Sequence, residues 1–308
     1  MQVTFHGVRG STPCSCEANR RYGGNTSCVA VEVPGAEPLV FDLGTGLRFF
    51  GESVAGASPF RAHALVSHLH WDHVQGLPFC VPLNVEGAEL DVYGPEQDGV
   101  SLAEAFEEFM RPPYFPVRIR DLLGDIRFHT LTEDDFAIDE TRVRARWVPH
   151  IGPTLGFRIE HGGHSVAYIS DHQQPLDGSM GVALEALELA DGVDLLIHDA
   201  QYTAEEFTRK SHWGHCSIDY ALHVAREAGA RRLVLFHHDP SHDDELVDVL
   251  ARDANDRADR LGLEEVVAAS EGLTVVLGAE PPAVPVEPPE PARVAPTRSC
   301  VTSGAGRR

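Results

Sequence analysis

Four apolar runs in this chain end in the same way. Arg61–Ser67, His164–Ile169, Val193–Ile197 and Arg232–Phe236 are followed at once by His68, by Ser170-Asp171, by His198-Asp199 and by His237-His238-Asp239. Short apolar runs bounded by polar residues read as buried strands. Open α/β sheets collect their ligands at the carboxyl ends of strands. The pattern therefore points to an α/β fold in which residues distant in sequence meet in one crevice.

The richest of these ends is His68-Leu69-His70-Trp71-Asp72-His73, with three histidines and a carboxylate in six residues. Neutral imidazole and carboxylate are ligands for zinc, manganese and iron. In an extended segment alternate side chains point the same way, so His68 and His70 can grip one ion. If a helix follows, Asp72 and His73 swing aside to a second ion. Two metals held by one short loop is a hydrolase arrangement. A histidine-rich surface loop or a single structural zinc is the bland alternative, and context must decide.

Along the chain, Gln2–His6, Cys28–Val33 and Leu39–Asp42 read as strands separated by Gly and Pro turns. The loop Tyr22-Gly23-Gly24-Asn25-Thr26 has adjacent glycines that permit close backbone approach to a ligand. Asn25 in this loop and His238 are the candidate substrate-binding residues. Asp42-Leu43-Gly44-Thr45-Gly46 ends a strand and starts a short helix, but it lacks the lysine of a phosphate loop. Glu89–Tyr93 is a further strand. Leu102–Met110 has helical spacing and breaks at Arg111-Pro112-Pro113-Tyr114-Phe115-Pro116, a segment able to overhang a pocket. Strands follow at Ile126–Leu131, Arg142–Trp147 and Thr154–Glu160. Helices are expected near Val182–Ala190, Ile218–Glu227 and Asp243–Leu261, and a last strand near Leu273–Leu277. From Ala279 the composition turns proline-rich, so residues 1–278 are expected to form the domain and 279–308 a disordered tail.

The net charge of -22 argues against a general nucleic-acid binder. It leaves room for a small anionic substrate, because bound metals supply local positive charge. No apolar run has the length of a membrane span. The start Met1–Phe5 reads as a strand, so a cytoplasmic location with reduced thiols is expected for Cys14, Cys16, Cys28, Cys80, Cys216 and Cys300. Cys14-x-Cys16 has no matching second pair and reads as free thiols.

Chemistry alone proposes further ligands. His150, after Ala145–Pro149, is a candidate third imidazole, and Asp171 has two oxygens with which to bridge two ions. Between His237 and His238 as the last ligand, chemistry does not choose. The bland alternative for Asp171 is a helix N-cap, and for His150 a satisfied histidine of the core or surface.

At these residues the chain resembles the metallo-β-lactamase superfamily, and in particular its phosphodiesterase branch near ribonuclease Z. The resemblance rests on the His68–His73 loop and on His150 preceding Leu155-Gly156-Phe157-Arg158-Ile159. It rests also on His198-Asp199-Ala200, with Asp where the branch has Glu, and on Gly214-His215-Cys216, with Cys where it has Ser. His237 after Leu233-Val234-Leu235-Phe236 completes the set. The resemblance spans most of residues 1–278. It implies a four-layer αββα sandwich, two mixed sheets face to face with helices outside. It implies two divalent ions, zinc first, with manganese or iron acceptable. His68, His70, His150 and Asp171 would hold one, and Asp72, His73, Asp171 and His237 the other.

The branch gives His215 a catalytic role, with Asp199 holding it and Asp72 serving both as ligand and in catalysis. The bland alternative for His215 is an N-cap before the helix at Ser217. No long glycine-rich arm is present of the kind that lets ribonuclease Z clamp transfer RNA; an inserted helix and Arg111–Pro116 stand in its place. The chain is closer to bacterial stand-alone members, with Gly7-Val8-Arg9-Gly10-Ser11, Tyr22–Ser27 and Phe236–Pro240. The expected function is hydrolysis of a small phosphodiester such as a 3′,5′-cyclic nucleotide. A thioesterase or lactonase, a ribonuclease Z-like RNA endonuclease and a non-catalytic metal-binding module are the alternatives. The expected partners are a small anionic phosphodiester and a second copy of the chain in a homodimer, with no membrane and no nucleic acid.

Overall fold

A computed structural model describes residues 1–56 and 59–278 of the chain; the proline-rich stretch expected to be a tail, with Cys300, lies outside them. The first sheet runs, in spatial order, Thr274–Val276, Gln2–Gly7, Cys28–Glu32, Leu39–Phe41, Arg61–Leu65, Glu89–Pro95 and Asp125–Leu131. Its first four strands pair antiparallel and the rest parallel. The second sheet runs Glu265–Ala268, Arg232–Phe236, Leu195–Asp199, His164–Ile169, Leu155–His161, Thr141–Trp147 and Asp135–Ile138. There the first four are parallel and the last three antiparallel.

Burial explains the layering. Leu195–Asp199 is buried throughout, the signature of a parallel strand covered on both faces. Thr141–Trp147 instead alternates, with Val143 and Ala145 inside and Arg142 exposed. Between the sheets lies a core of Phe5, Phe41, Phe157, Tyr168 and Phe236, in which the Phe41 and Tyr168 rings stack at 4.6 Å. Outside the first sheet, Phe50, Leu77 and Phe106 pack on its outer face. Outside the second, Leu189, Leu222 and Val224 do the same. The result is the four-layer αββα sandwich.

Most expected elements are present, with three differences. The helix expected over Asp243–Leu261 is two, Asp244–Asp256 and Ala258–Leu261. Arg257 separates them, and the side-chain oxygen of Asn255 accepts from the Val266 amide. The strands Asp135–Ile138 and Glu265–Ala268 are edge strands of only four residues, too short for a pattern to announce them. The helix Ala204–Lys210 begins at a Thr203–Glu206 capping box, a signal that was available in the sequence.

Candidate metal centre and its proton donor

The parallel register brings the strand ends level. Ile169 is paired with His198, and Asp199 with Phe236, so Asp171, Asp199 and His237 emerge side by side. In the facing sheet Phe41 is paired with Leu65, which sets Asp42 beside the start of the histidine loop. That loop is extended through His70 and then becomes the helix Trp71–Val74, the case in which Asp72 and His73 swing aside.

Two tight groups form around one carboxylate. His68, His70 and His150 converge, with His68 Nε2 2.9 Å and His150 Nε2 3.3 Å from His70 Nδ1. Asp72, His73 and His237 form a second group, in which His237 Nε2 lies 3.1 Å from Asp72 Oδ2 and 3.3 Å from His73 Nε2. Asp171 stands between them. Its Oδ1 is 3.8, 3.7 and 3.6 Å from the Nε2 atoms of His68, His150 and His237, and its Oδ2 is 3.3 Å from His73 Nε2.

Hydrogen bonds behind the rings fix their tautomers. His73 Nδ1–H donates to Asp42 at 2.7 Å, His150 Nδ1–H to the Gly214 carbonyl at 2.6 Å, and His237 Nδ1–H to Gln201 Oε1 at 2.9 Å. His68 Nδ1 meets Ser67 Oγ at 3.0 Å, and that hydroxyl donates onward to Asp42. Such partners orient metal-binding imidazoles and raise their basicity. The Nε2 lone pairs of these four rings are thereby aimed at one another and at Asp171.

This arrangement fits a divalent cation. Asp171 Oδ2 is buried and has no hydrogen-bond partner, and an orphaned buried carboxylate oxygen is costly unless something positive meets it. Burial pushes His73 down, yet the carboxylates of Asp171, Asp72 and Asp42 outweigh it and hold its pKa well above the usual value. The carboxylates thus demand positive charge here. Burial drives His68 well below its ordinary range and His150 down to about 4, leaving them as neutral ligands.

The backbone is shaped for the centre. Among the described residues, five that are not glycine have positive φ, and three of these lie at the site: Ser11 at 62°, Asp42 at 58° and His237 at 60°. Such strain costs on the order of 1–3 kcal/mol each and persists where surroundings over-determine it. The Ser11 amide donates to Asp72 at 2.7 Å. A Cβ on Gly214 would come within 2.6 Å of the His150 ring, and one on Gly10 within 2.4 Å of His237.

His215 lies beside the centre, buried, with its ring stacked on His237 at 5.0 Å. Its Nδ1–H donates to Asp199 Oδ2 at 2.9 Å and lies 3.7 Å from Asp171. Asp199 is held by the amides of His172 and Gln201. Burial lowers the pKa of His215, but Asp199, Asp171 and Asp72 together raise it.

The two N-cap alternatives do not hold. The next helix after Asp171 starts at Leu184, and Ser217, not His215, caps the helix Ile218–Glu227. The two expected substrate-binding residues are both engaged within the chain. His238 is buried and donates Nε2–H to the Ala269 carbonyl, tying its loop to the end of the edge strand Glu265–Ala268. Burial and the neighbouring Arg9 charge push its pKa down to about 3. Asn25 donates its backbone N–H and a side-chain N–H to Glu271. Asp42, Ser67, Gln201 and the Gly214 carbonyl were not anticipated. For Asp42 the signal was the same strand-end rule that marked the others.

Fold and site together define a metal-dependent hydrolase with the metallo-β-lactamase architecture. The family model described as the beta-lactamase superfamily domain matches residues 51–238, and the chain belongs to that superfamily. It is similar to a ribonuclease Z of Methanothermobacter thermautotrophicus, 27% identical over 277 residues, which cover 77% of this chain and 86% of the relative. Among solved structures it is similar to the short form of human tRNase Z, with TM-score 0.64 and 21% identity, covering 91% of this chain and 100% of that one. It is also similar to a diphosphatase from the PhnP family, with TM-score 0.62 and 16% identity, covering 90% and 97%.

Proposed function

We propose that this hydrolase is a phosphodiesterase acting on a small nucleotide, such as a 3′,5′-cyclic nucleotide, with two ions. His68, His70, His150 and Asp171 hold one; Asp72, His73, His237 and Asp171 hold the other. Zinc suits the imidazole-rich set best, and manganese or iron is compatible with it. Bound there, the ions supply charge for the phosphoryl oxygens and lower the pKa of water.

The observation that carries the reading is the His215–Asp199 pair at the edge of the centre. A phosphodiester expels an alkoxide, a poor leaving group unless protonated. His215 donates Nδ1–H to Asp199, so Nε2 is the atom whose proton is transferred. Asp199, with the amides of His172 and Gln201 behind it, keeps the ring in this orientation. The Tyr202 ring stands edge-on to His215 at 5.8 Å and limits its tilt.

The net charge of -22 favours a small anion over a long RNA. Similarity to a ribonuclease Z supports RNA cleavage as the second reading. Among the described residues no helix is long and apolar enough to cross a membrane. The free thiols Cys14, Cys16, Cys28, Cys80 and Cys216 support a cytoplasmic location.

The test is a substrate panel on the metal-loaded chain: cyclic nucleotides, linear phosphodiesters, a structured RNA, thioesters and lactones. Diester hydrolysis is expected, with two ions per chain by elemental analysis. Turnover confined to thioesters or lactones would refute the reading, and RNA cleavage with cyclic nucleotides untouched would replace it by the second.

A further inference from the structure

Ser11 joins a strained backbone to an exposed hydroxyl at the edge of the metal centre. The Thr12 amide donates to the Gly10 carbonyl at 2.6 Å, closing a three-residue γ-turn about Ser11. With φ of 62° at its middle residue, this is the rare and strained hand of that turn. Strain of this kind clusters at functional sites. The turn brings the Ser11 amide to Asp72 Oδ2 at 2.7 Å, and that oxygen is 3.1 Å from His237 Nε2. Ser11 is therefore one hydrogen bond away from the ligands proposed for the second ion. Glycine would supply the same amide without the strain. What serine adds is its hydroxyl.

The partners of that hydroxyl give it a direction. Gln201 accepts the His237 Nδ1–H on Oε1, so its Nε2 is the donor to Ser11 Oγ, at 3.2 Å. Ser11 Oγ is the acceptor in that bond and keeps its own proton to give. Among the described residues no acceptor meets this proton, and Ser11 is exposed. The loop is held on its other side as well. Arg9, fully buried, donates to the carbonyls of Gly23, Asp239 and His242, and the Gly10 amide to the His238 carbonyl. Arg9 is thus committed to backbone carbonyls, and Lys210, on the adjoining loop, to Asp239. Neither cation is free to meet a phosphoryl oxygen.

Resting on the phosphodiester reading, we infer that Ser11 Oγ–H donates to a non-bridging phosphoryl oxygen of the substrate. His215 serves the leaving oxygen, on the other side of His237, and the Ser11 hydroxyl serves the phosphoryl group itself. A donor whose loop is already fixed stabilises developing charge with no reorganisation at the moment of reaction.

Binding tests the contact apart from turnover. The zinc-loaded full chain is titrated with inorganic phosphate by calorimetry, and zinc affinity is measured by chelator competition. Ser11→Gly removes the hydroxyl and suits the turn; Ser11→Ala removes it and keeps the strain. Both should lose phosphate affinity by about 10- to 150-fold, the range expected of one hydrogen bond to a charged acceptor. Zinc affinity should be unchanged in Ser11→Gly, because the amide stays on Asp72. In the activity arm, kcat/KM for methyl 4-nitrophenyl phosphate should fall over the same range. Full phosphate affinity in both variants overturns the contact. Loss in Ser11→Ala alone assigns the effect to strain and overturns it too. Weaker zinc binding in Ser11→Gly overturns it in favour of support for His237 through Gln201. An unaltered chain that binds phosphate but hydrolyses no diester would strike the phosphodiester reading alone, since the phosphate arm still decides the contact. A chain that binds no phosphate overturns the contact outright.

Discussion

Asp42 is the residue whose removal tells most about how the centre is built. It is fully buried, and its two oxygens accept from the Ser67 amide at 2.7 Å, the Ser67 hydroxyl at 2.9 Å, His73 Nδ1–H at 2.7 Å and the Tyr168 hydroxyl at 2.6 Å. Asp42→Ala strands three donors that cannot simply turn away: the Ser67 amide, the Tyr168 hydroxyl and the His73 ring. Each unsatisfied buried donor costs about 1–3 kcal/mol, partly offset because a buried carboxylate is no longer desolvated. The expected loss is about 3–5 kcal/mol, read from urea unfolding of the metal-free chain. Asp42→Asn separates charge from shape. Asparagine tolerates the left-handed backbone at this position as aspartate does, so the loop should persist. Its amide cannot accept from every donor, and the His73 tautomer loses its anchor. Metal affinity, measured by competition with a chromogenic chelator, should fall about 10–100-fold while the secondary structure is retained. Full metal affinity in Asp42→Asn, together with unchanged stability in Asp42→Ala, would show that this carboxylate does not support the ligands.

His215→Ala should lose about 10²–10⁴-fold in turnover of a diester with an alkoxide leaving group, and much less on a nitrophenyl diester that needs no proton; equal losses, or loss of bound metal, would refute the donor role. Asp199→Asn should show the same pattern more mildly. Gly214→Ala should push His150 out of place, because its Cβ falls 2.6 Å from the ring at a φ of 94°; overpacking of this kind costs about 1–3 kcal/mol, visible as weaker metal retention in the same chelator assay. His6, half-buried, has its pKa pushed down to about 4 by burial. The unfolded chain therefore takes up a proton below about pH 6.5 that the folded chain refuses until near pH 4. Stability should fall by at most about 3 kcal/mol over that window, and His6→Leu should flatten the slope in denaturant titrations at pH 7 and pH 4.5.

The parts of this molecule legible in the sequence are those where local chemistry and local pattern agree. The loop His68–His73 announces its own ligands, and Asp171 and His237 follow buried strands whose ends must lie together. His150 was less certain from spacing, because its strand ends at Trp147 and two further residues carry the chain to the centre. What spacing does not reveal is pairing across elements. Gln201 is found only when the register of Leu195–Asp199 against Arg232–Phe236 brings it to His237. His238 shows the same limit in reverse. It neighbours a ligand-like histidine, but successive side chains diverge, and its ring is turned toward Ala269. The aromatic segment Arg111–Pro116, read as able to overhang a pocket, does contribute Tyr114 and Phe115 to one. Its sequence carried no indication of which element stood opposite.

The first sheet is closed by the strand Thr274–Val276, which lies against Gln2–Thr4. The hydroxyls of Thr4 and Thr274 meet at 3.1 Å across a separation of 270 residues. During synthesis at about 5–20 residues per second, the outer edge of the first strand therefore waits roughly 15–60 s for its neighbour. Throughout that interval its unpaired amides and carbonyls are open to any other nascent chain, the usual template for strand-to-strand aggregation. A ribosome that stops short of Thr274 would release a polypeptide with every proposed metal ligand in place and one side of its first sheet still exposed.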